Sequence, residues 1–288
     1  MAALWHHQGT TYKFYKRKMK EKSLSRERGK IKFEILDKTQ DLENVEKDAL
    51  ICGIDKSAKH CILLKIVDRI HNHQREISKN SQMKKENPSM EIRDLGFTKP
   101  IVLITTSTRD AAFELVSDLL EISKNENSQL EIQNQKRFLK EYAPFNLDQA
   151  QVEEKNDDDC FKMGIKFSKT RVKLYSDFYS CDLIIGSPLG LRISCKKENY
   201  DFLSGIEIMM VDCAHQLLMQ NWEHTLNIFS NLNLIPKVDH GVDFSRVKEY
   251  ILDGRAKYYR QNFILTDYVT PELVNLLNNY CFNLKGIH

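Results

Sequence analysis

Two short apolar runs, Leu183 to Ile185 and Ile206 to Val211, constrain this chain most, because each ends abruptly in small or polar residues. Runs of that length without polar alternation are buried on both faces, as parallel strands are, and a parallel sheet delivers its loops to one edge. The stretch from Ser180 to Gln220 therefore predicts an α/β sheet with its chemistry on the loops at the carboxyl ends of the strands. Gly186 and Ser187 let the backbone turn tightly after the first run, and Pro188 sets the direction of the next segment. Leu189, Leu191 and Ile193 give a short helix something to bury. Asp212 follows the second run directly, with His215 three residues later, where a nucleotide-hydrolysing motor would hold its metal-coordinating acid. Ala214 to Phe229 then reads as one helix, with Trp222 as core or docking surface.

A chain of 288 residues that is 41% hydrophobic can bury a substantial core. Its 43 basic and 40 acidic side chains leave a formal charge of +3, which excludes a polycation of the histone kind but not a local nucleic-acid contact. Seven cysteines without regular spacing read as reduced, intracellular thiols. No apolar run reaches the roughly 18 residues of a membrane span, and the start lacks a signal-peptide hydrophobic region, so a cytosolic or nuclear protein is expected.

Residues 1–40 mix basic side chains with aromatics and read as a basic, flexible arm, either simply solvated or meeting phosphates through Lys16, Arg17, Lys18, Lys20 and Lys22. Residues 41–288 read as one domain with a polar insertion near 124–160. Cys61 to Ile77 predicts an amphipathic helix, with His71 and His73 on its surface, followed by a polar loop. Ile101 to Ile104 is a buried strand, Thr105 to Thr108 a hydroxyl-rich turn, and Ala111 to Ile122 a helix capped by Ser107 or Thr108. That turn either holds a phosphate with Arg109 or only satisfies backbone groups. Asp157, Asp158 and Asp159 lack calcium-loop spacing and read as a solvated turn, so no metal site is expected. Residues 161–175 predict a strand pair showing Lys166, Lys169, Arg171 and Lys173 on one side. Further on, Phe244 to Leu252 suits a helix, Phe263 to Leu265 a strand and Pro271 to Leu277 a helix. Arg246, Lys248, Arg255, Lys257 and Arg260 form a second basic patch beside Tyr258 and Tyr259.

IRDLGFTKPIVLITTSTR at Ile92 to Arg109, DCFKMGIKFSKTR at Asp159 to Arg171, KLYSDFYSCDLIIGSPLGLR at Lys173 to Arg192 and YDFLSGIEIMMVDCAHQLLMQNW at Tyr200 to Trp222 stand in a particular order, followed by DFSRVKEYILDGRAKYYRQ at Asp243 to Gln261. This series resembles the first RecA-like domain of DEAD-box RNA helicases, and within them the digestive-organ-expansion-factor family, a nucleolar component of the small-subunit processome. The resemblance implies a RecA-like parallel sheet flanked by helices. It implies RNA-contacting motifs at Thr105, Thr106, Ser107, Thr108 and Arg109 and at Gly186, Ser187, Pro188, Gly190 and Arg192, with a degenerate DEAD box holding Asp212 and His215. It also implies that the second RecA-like domain of the family is absent from this chain.

The residues argue against catalysis. A phosphate loop needs GxxxxGK[ST], whose amides and Lys surround the triphosphate. The nearest stretch, Cys52-Gly53-Ile54-Asp55-Lys56-Ser57, lacks the second Gly and puts an acid where phosphate would lie. Asp212 has Cys213 beside it where hydrolysis needs a second acid, and no catalytic residue or cofactor is expected. The resemblance thus implies a non-catalytic assembly factor for pre-18S rRNA processing in the nucleolus. Its implied partners are pre-ribosomal RNA, the snoRNA-containing particle and other processome proteins, with no membrane. A protein-only scaffold or regulator and an ATP-dependent helicase stand as alternatives.

Overall fold

The computed structural model describes residues 46–53, 56–146, 153–154, 156–195 and 199–287, and the expected basic arm at 1–40 lies outside them. In chain order the elements are β1 (Ala49–Cys52), α1 (Lys56–Glu86), β2 (Val102–Thr105), α2 (Arg109–Glu126), β3 (Glu131–Gln133) and α3 (Gln135–Tyr142). There follow β4 (Phe145–Asn146), β5 (Glu153–Glu154), β6 (Lys162–Phe167), β7 (Arg171–Leu174), β8 (Leu183–Gly186) and α4 (Pro188–Ser194). The last third holds β9 (Ile208–Val211), α5 (Ala214–Met219), α6 (Trp222–Asn231), α7 (Glu249–Leu252), β10 (Gln261–Thr266) and α8 (Pro271–Tyr280).

The main sheet has the order β1-β10-β9-β2-β8-β6-β7-β3. From β1 to β8 every pairing is parallel, β6 is antiparallel to both β8 and β7, and β3 runs parallel to β7. Successive side chains of a strand point to opposite faces, and the two cores follow that rule. Val102, Ile104, Leu183, Ile185, Met210 and Phe263 join Ile62, Ile66, Leu115 and Phe138 from α1, α2 and α3 on one face. Leu103, Ile184, Met209 and Ile264 join Leu191, Leu217, Ile228 and Leu273 from the helices of the other. The apolar runs thus lie in a sheet covered on both sides, and β2, β8, β9 and β10 end side by side at one edge. The β6/β7 hairpin appears as expected, with Lys166 opposite Lys173.

Several elements differ from expectation. The first helix runs to Glu86, so the expected loop after Ile77 begins nine residues late in a polar, exposed continuation of the helix. His73 is buried, not on the surface: it faces the core with an unpartnered Nδ1, and burial lowers its pKa. Ala214 to Phe229 is not one helix, because Gln220 leaves it and Asn221 caps a second, accepting a hydrogen bond from Glu223 N. Phe244 to Leu252 splits into a 3-10 turn and the short α7. Ile193 stands 63% exposed instead of buried. Within the polar insertion, by contrast, the stretch from Phe138 to Phe145 supplies a little core as expected, since Phe138 stacks on Phe113 at 5.3 Å and Tyr142 meets Phe161 edge-on at 5.7 Å.

The second basic patch is dispersed by internal partners. Arg246 forms a fork with Asp94 at 2.9 and 2.6 Å, Lys248 reaches Glu207 at 2.8 Å, and Arg255 pairs with Asp253. Arg260 is 1% exposed and donates to Asn262, Asn233 and the Tyr280 carbonyl. Beside it Asp48 is fully buried and accepts from the Asn262 backbone at 2.7 Å and side chain at 2.8 Å. Burial outweighs these bonds and pushes its carboxyl up from 3.8 to about 6. The folded chain then holds this proton more tightly than the unfolded chain, so the contribution stabilises at low pH and is lost as pH rises from about 4 to about 6. Asp48→Asn is expected to remove a loss of about 3 kcal/mol across that window, at about 1.4 kcal/mol per pKa unit. Urea unfolding midpoints of both proteins between pH 4 and 6.5 check it, and parallel pH profiles would contradict it.

Candidate functional site

The carboxyl ends of β2, β8, β9 and β10 bring the sequence-predicted segments together. Their side chains turn mostly toward one another. Asp212, fully buried at the end of β9, has Lys59 Nζ at 2.9 Å from Oδ1 and 3.2 Å from Oδ2. Oδ1 meets the ammonium out of line for a hydrogen bond, so the contact is chiefly ionic. Thr106 Oγ1 donates to Oδ2 at 3.3 Å, and Cys213 Sγ lies 3.4 Å from the same oxygen. Burial pulls the Lys59 ammonium down, but Asp212 and Cys213 outweigh it and hold its pKa above the ordinary value. Burial and then Asp212 push the Cys213 thiol up to about 12, which keeps it protonated and unsuited to nucleophilic work. Cys213 also takes a left-handed backbone, φ 51° and ψ 45°, which turns the chain sharply from strand to helix.

Lys59 is the residue that sequence reasoning missed. It sits in the first turn of α1, three residues past Lys56 and two past the end of the segment that fails as a phosphate loop. The only signal was a lysine in the opening turn of an amphipathic helix, and helix geometry puts residues three apart on one side.

The Thr105 turn is similarly engaged. Thr105, Thr106 and Ser107 are fully buried. Ser107 Oγ donates to Gln216 Oε1 at 2.5 Å, and Gln220 Nε2 donates to the Ser107 carbonyl at 3.2 Å, tying this turn to α5. Thr108 caps α2 by accepting from Ala111 N. Half-buried Arg109 donates to Asp158 at 2.8 Å and to the Cys160 carbonyl at 3.2 Å, with its guanidinium 5.1 Å from the Tyr142 ring. The solvated aspartate turn is therefore partly a counter-charge. His215 accepts from Asp267 N and pairs through Nε2 with the Asp267 carboxylate at 3.2 Å, joining the Asp212 turn to the loop after β10.

At the end of β8, Ser187 caps α4 by accepting from Gly190 N at 2.9 Å. Gly186, Ser187, Pro188 and Gly190 are buried against the Phe161 backbone, whose carbonyl accepts from Ser187 N at 3.1 Å. Arg192 differs: it is exposed, and it donates to His224 Nδ1 at 2.6 Å. Arg192 is thus the residue of both expected RNA motifs whose charge stands at the surface without a carboxylate partner in the described contacts. Among the described residues no cluster of His, Cys, Asp and Glu has the form of a metal site, and no helix is long and apolar enough to cross a membrane.

A U3 small nucleolar RNA-associated protein 25 of Schizosaccharomyces pombe is 39% identical over 241 residues, covering 78% of this chain and 36% of that protein. The protein of the same name in Podospora anserina is 37% identical over 260 residues, covering 83% and 39%. The chain therefore spans little more than a third of these relatives' length. Among solved structures, a hypothetical ATP-dependent RNA helicase from Sulfolobus tokodaii aligns over 92% of this chain and 55% of its own, with TM-score 0.43 and 12% identity. The profile of the family described as UTP25, NTP hydrolase-like domain matches residues 43–288, and the chain belongs to that family.

Proposed function

We propose that this chain is a non-catalytic, RNA-associated assembly factor of the small-subunit processome, acting in the nucleolus on the precursor of 18S rRNA. The observation that carries the non-catalytic part is the Lys59–Asp212 ion pair: a lysine of the protein itself occupies the carboxylate that a nucleotide-bound metal would need. RNA association rests on family membership and on the name of the relatives, which are U3 small nucleolar RNA-associated. The RecA-like assignment rests on the strand order and on the motifs gathered at one sheet edge. Residues 41–288 would then act as one RecA-like domain. Of the proposed RNA contacts, Arg192 is placed to meet a phosphate, and the two buried turns act by shaping the surface around it.

A protein-only scaffold is the second reading, favoured by the internal pairing of Arg109, Arg246, Lys248 and Arg260. Ultraviolet crosslinking in cells separates the two. RNA covalently attached to this chain and derived from the pre-18S region is expected, whereas co-purification of processome proteins with no attached RNA supports the scaffold.

A further inference from the structure

Between α4 and the junction of α5 with α6 lies a small, open cleft of about 60 Å³. Asp159, Gln220, Asn221, His224 and Thr225 supply its polar lining. Pro188, Leu189 and Leu217 supply apolar walls. Thr225 is 1% exposed and its hydroxyl has no hydrogen-bond partner. An unpaired buried hydroxyl costs free energy, so its survival in the lining of a cleft points to a partner that arrives from outside. Arg192 fixes the chemistry of the neighbouring imidazole: a guanidinium only donates, so His224 Nδ1 accepts and Nε2 carries the proton. Burial and then Arg192 lower the His224 pKa, consistent with a neutral ring.

The cleft thus offers a carboxylate acceptor, an imidazole donor, amide and hydroxyl groups of both kinds, and apolar walls. A phosphate fits poorly, because Asp159 would repel it. A flat group with apolar faces and a mixed donor and acceptor edge fits all of these features. We propose that the cleft takes one unpaired nucleobase of a single-stranded RNA whose backbone phosphate is held by Arg192 at the rim. This rests on the RNA-associated reading above. Asp159 accepts from an exocyclic amino group, which favours cytosine, adenine or guanine over uracil. Ile193 and Met219, 63% and 83% exposed, directly follow Arg192 and precede Gln220, and they add apolar surface beside the rim.

The test measures binding of the full 288-residue chain to short single-stranded RNAs by fluorescence anisotropy. One RNA is uniformly cytosine-bearing, one uniformly uracil-bearing, and one carries abasic ribose at successive positions. Wild-type protein is expected to bind the cytosine RNA about tenfold more tightly than the abasic one, the scale of one base contact. Thr225→Val and Asp159→Asn, both close in shape to the native residues, are expected to erase that difference. Arg192→Ala is expected to weaken both RNAs alike. Equal affinity of wild-type protein for cytosine and abasic RNA overturns the base cleft while leaving the RNA reading intact. No binding to any RNA overturns both, as does crosslinking of a partner protein's segment, without RNA, to the cleft in purified particles.

Discussion

Lys59→Met is expected to cost about 3 kcal/mol of folding stability, the lower end of what breaking a buried ion pair costs, because the Lys59 side chain retains 18% exposure. The substitution preserves most of the side chain's apolar bulk but leaves the Asp212 carboxylate wholly inside the protein with Thr106 as its remaining hydroxyl donor. Adding Asp212→Asn to Lys59→Met removes the stranded charge and is expected to restore most of the loss. A double-mutant cycle read by urea unfolding should give a coupling of about 2 kcal/mol between the two positions. A silent Lys59→Met would mean that something else compensates Asp212. If that protein were then stabilised by magnesium, the edge would still be a metal site, and the non-catalytic account would fail.

Gly190→Ala is expected to be at least as damaging, and for a steric reason. A β-carbon at this position would lie 2.2 Å from the Phe161 carbonyl oxygen and 2.7 Å from the Phe161 carbon and nitrogen. These are backbone atoms, fixed by the bond from Ser187 N at 3.1 Å, so neither partner can yield by a rotamer change. Alanine would otherwise favour the helix by about 1 kcal/mol. Forcing α4 away from its neighbour is expected to cost about 3 kcal/mol or more, the upper range for overpacking. It would also displace Arg192 from His224. Urea unfolding and RNA affinity measured on one preparation check both effects. Wild-type stability for Gly190→Ala would show that α4 can lift from Phe161 freely.

The order of strand and helix was legible where side-chain burial is dictated locally. The apolar runs Ile101 to Ile104, Leu183 to Ile185 and Phe263 to Leu265 fall on strands buried along their whole length, and their shortness and the turn residues after them favour strand over helix. The Thr108 cap and Pro271 in the first turn of α8 were equally local signals. What escaped depends on partners distant in sequence. Lys59 meets Asp212 across 153 residues, Arg246 meets Asp94 across 152, and Lys248 meets Glu207 across 41. A run of lysines and arginines displays its charges equally well whether carboxylates elsewhere fold onto them or not. For the same reason the hydroxyls of the Thr105 turn looked free in the sequence, while in the fold Thr106 and Ser107 bond to residues of the Asp212 segment. His73 was misplaced because a histidine two residues from another on an amphipathic helix says nothing about which of them the sheet covers.

The sheet edge that gathers β2, β8, β9 and β10 is filled by its own side chains, and the proposal makes the exposed Arg192 corner the surface that meets RNA. Crosslinking in cells followed by sequencing of the attached RNA and mapping of the attached peptide tests this most directly. The account predicts pre-18S RNA joined to peptides containing Arg192 or the Met219 to Thr225 junction, in amounts unchanged by Asp212→Asn. RNA attachment that is absent, or that disappears with Asp212→Asn, would contradict it.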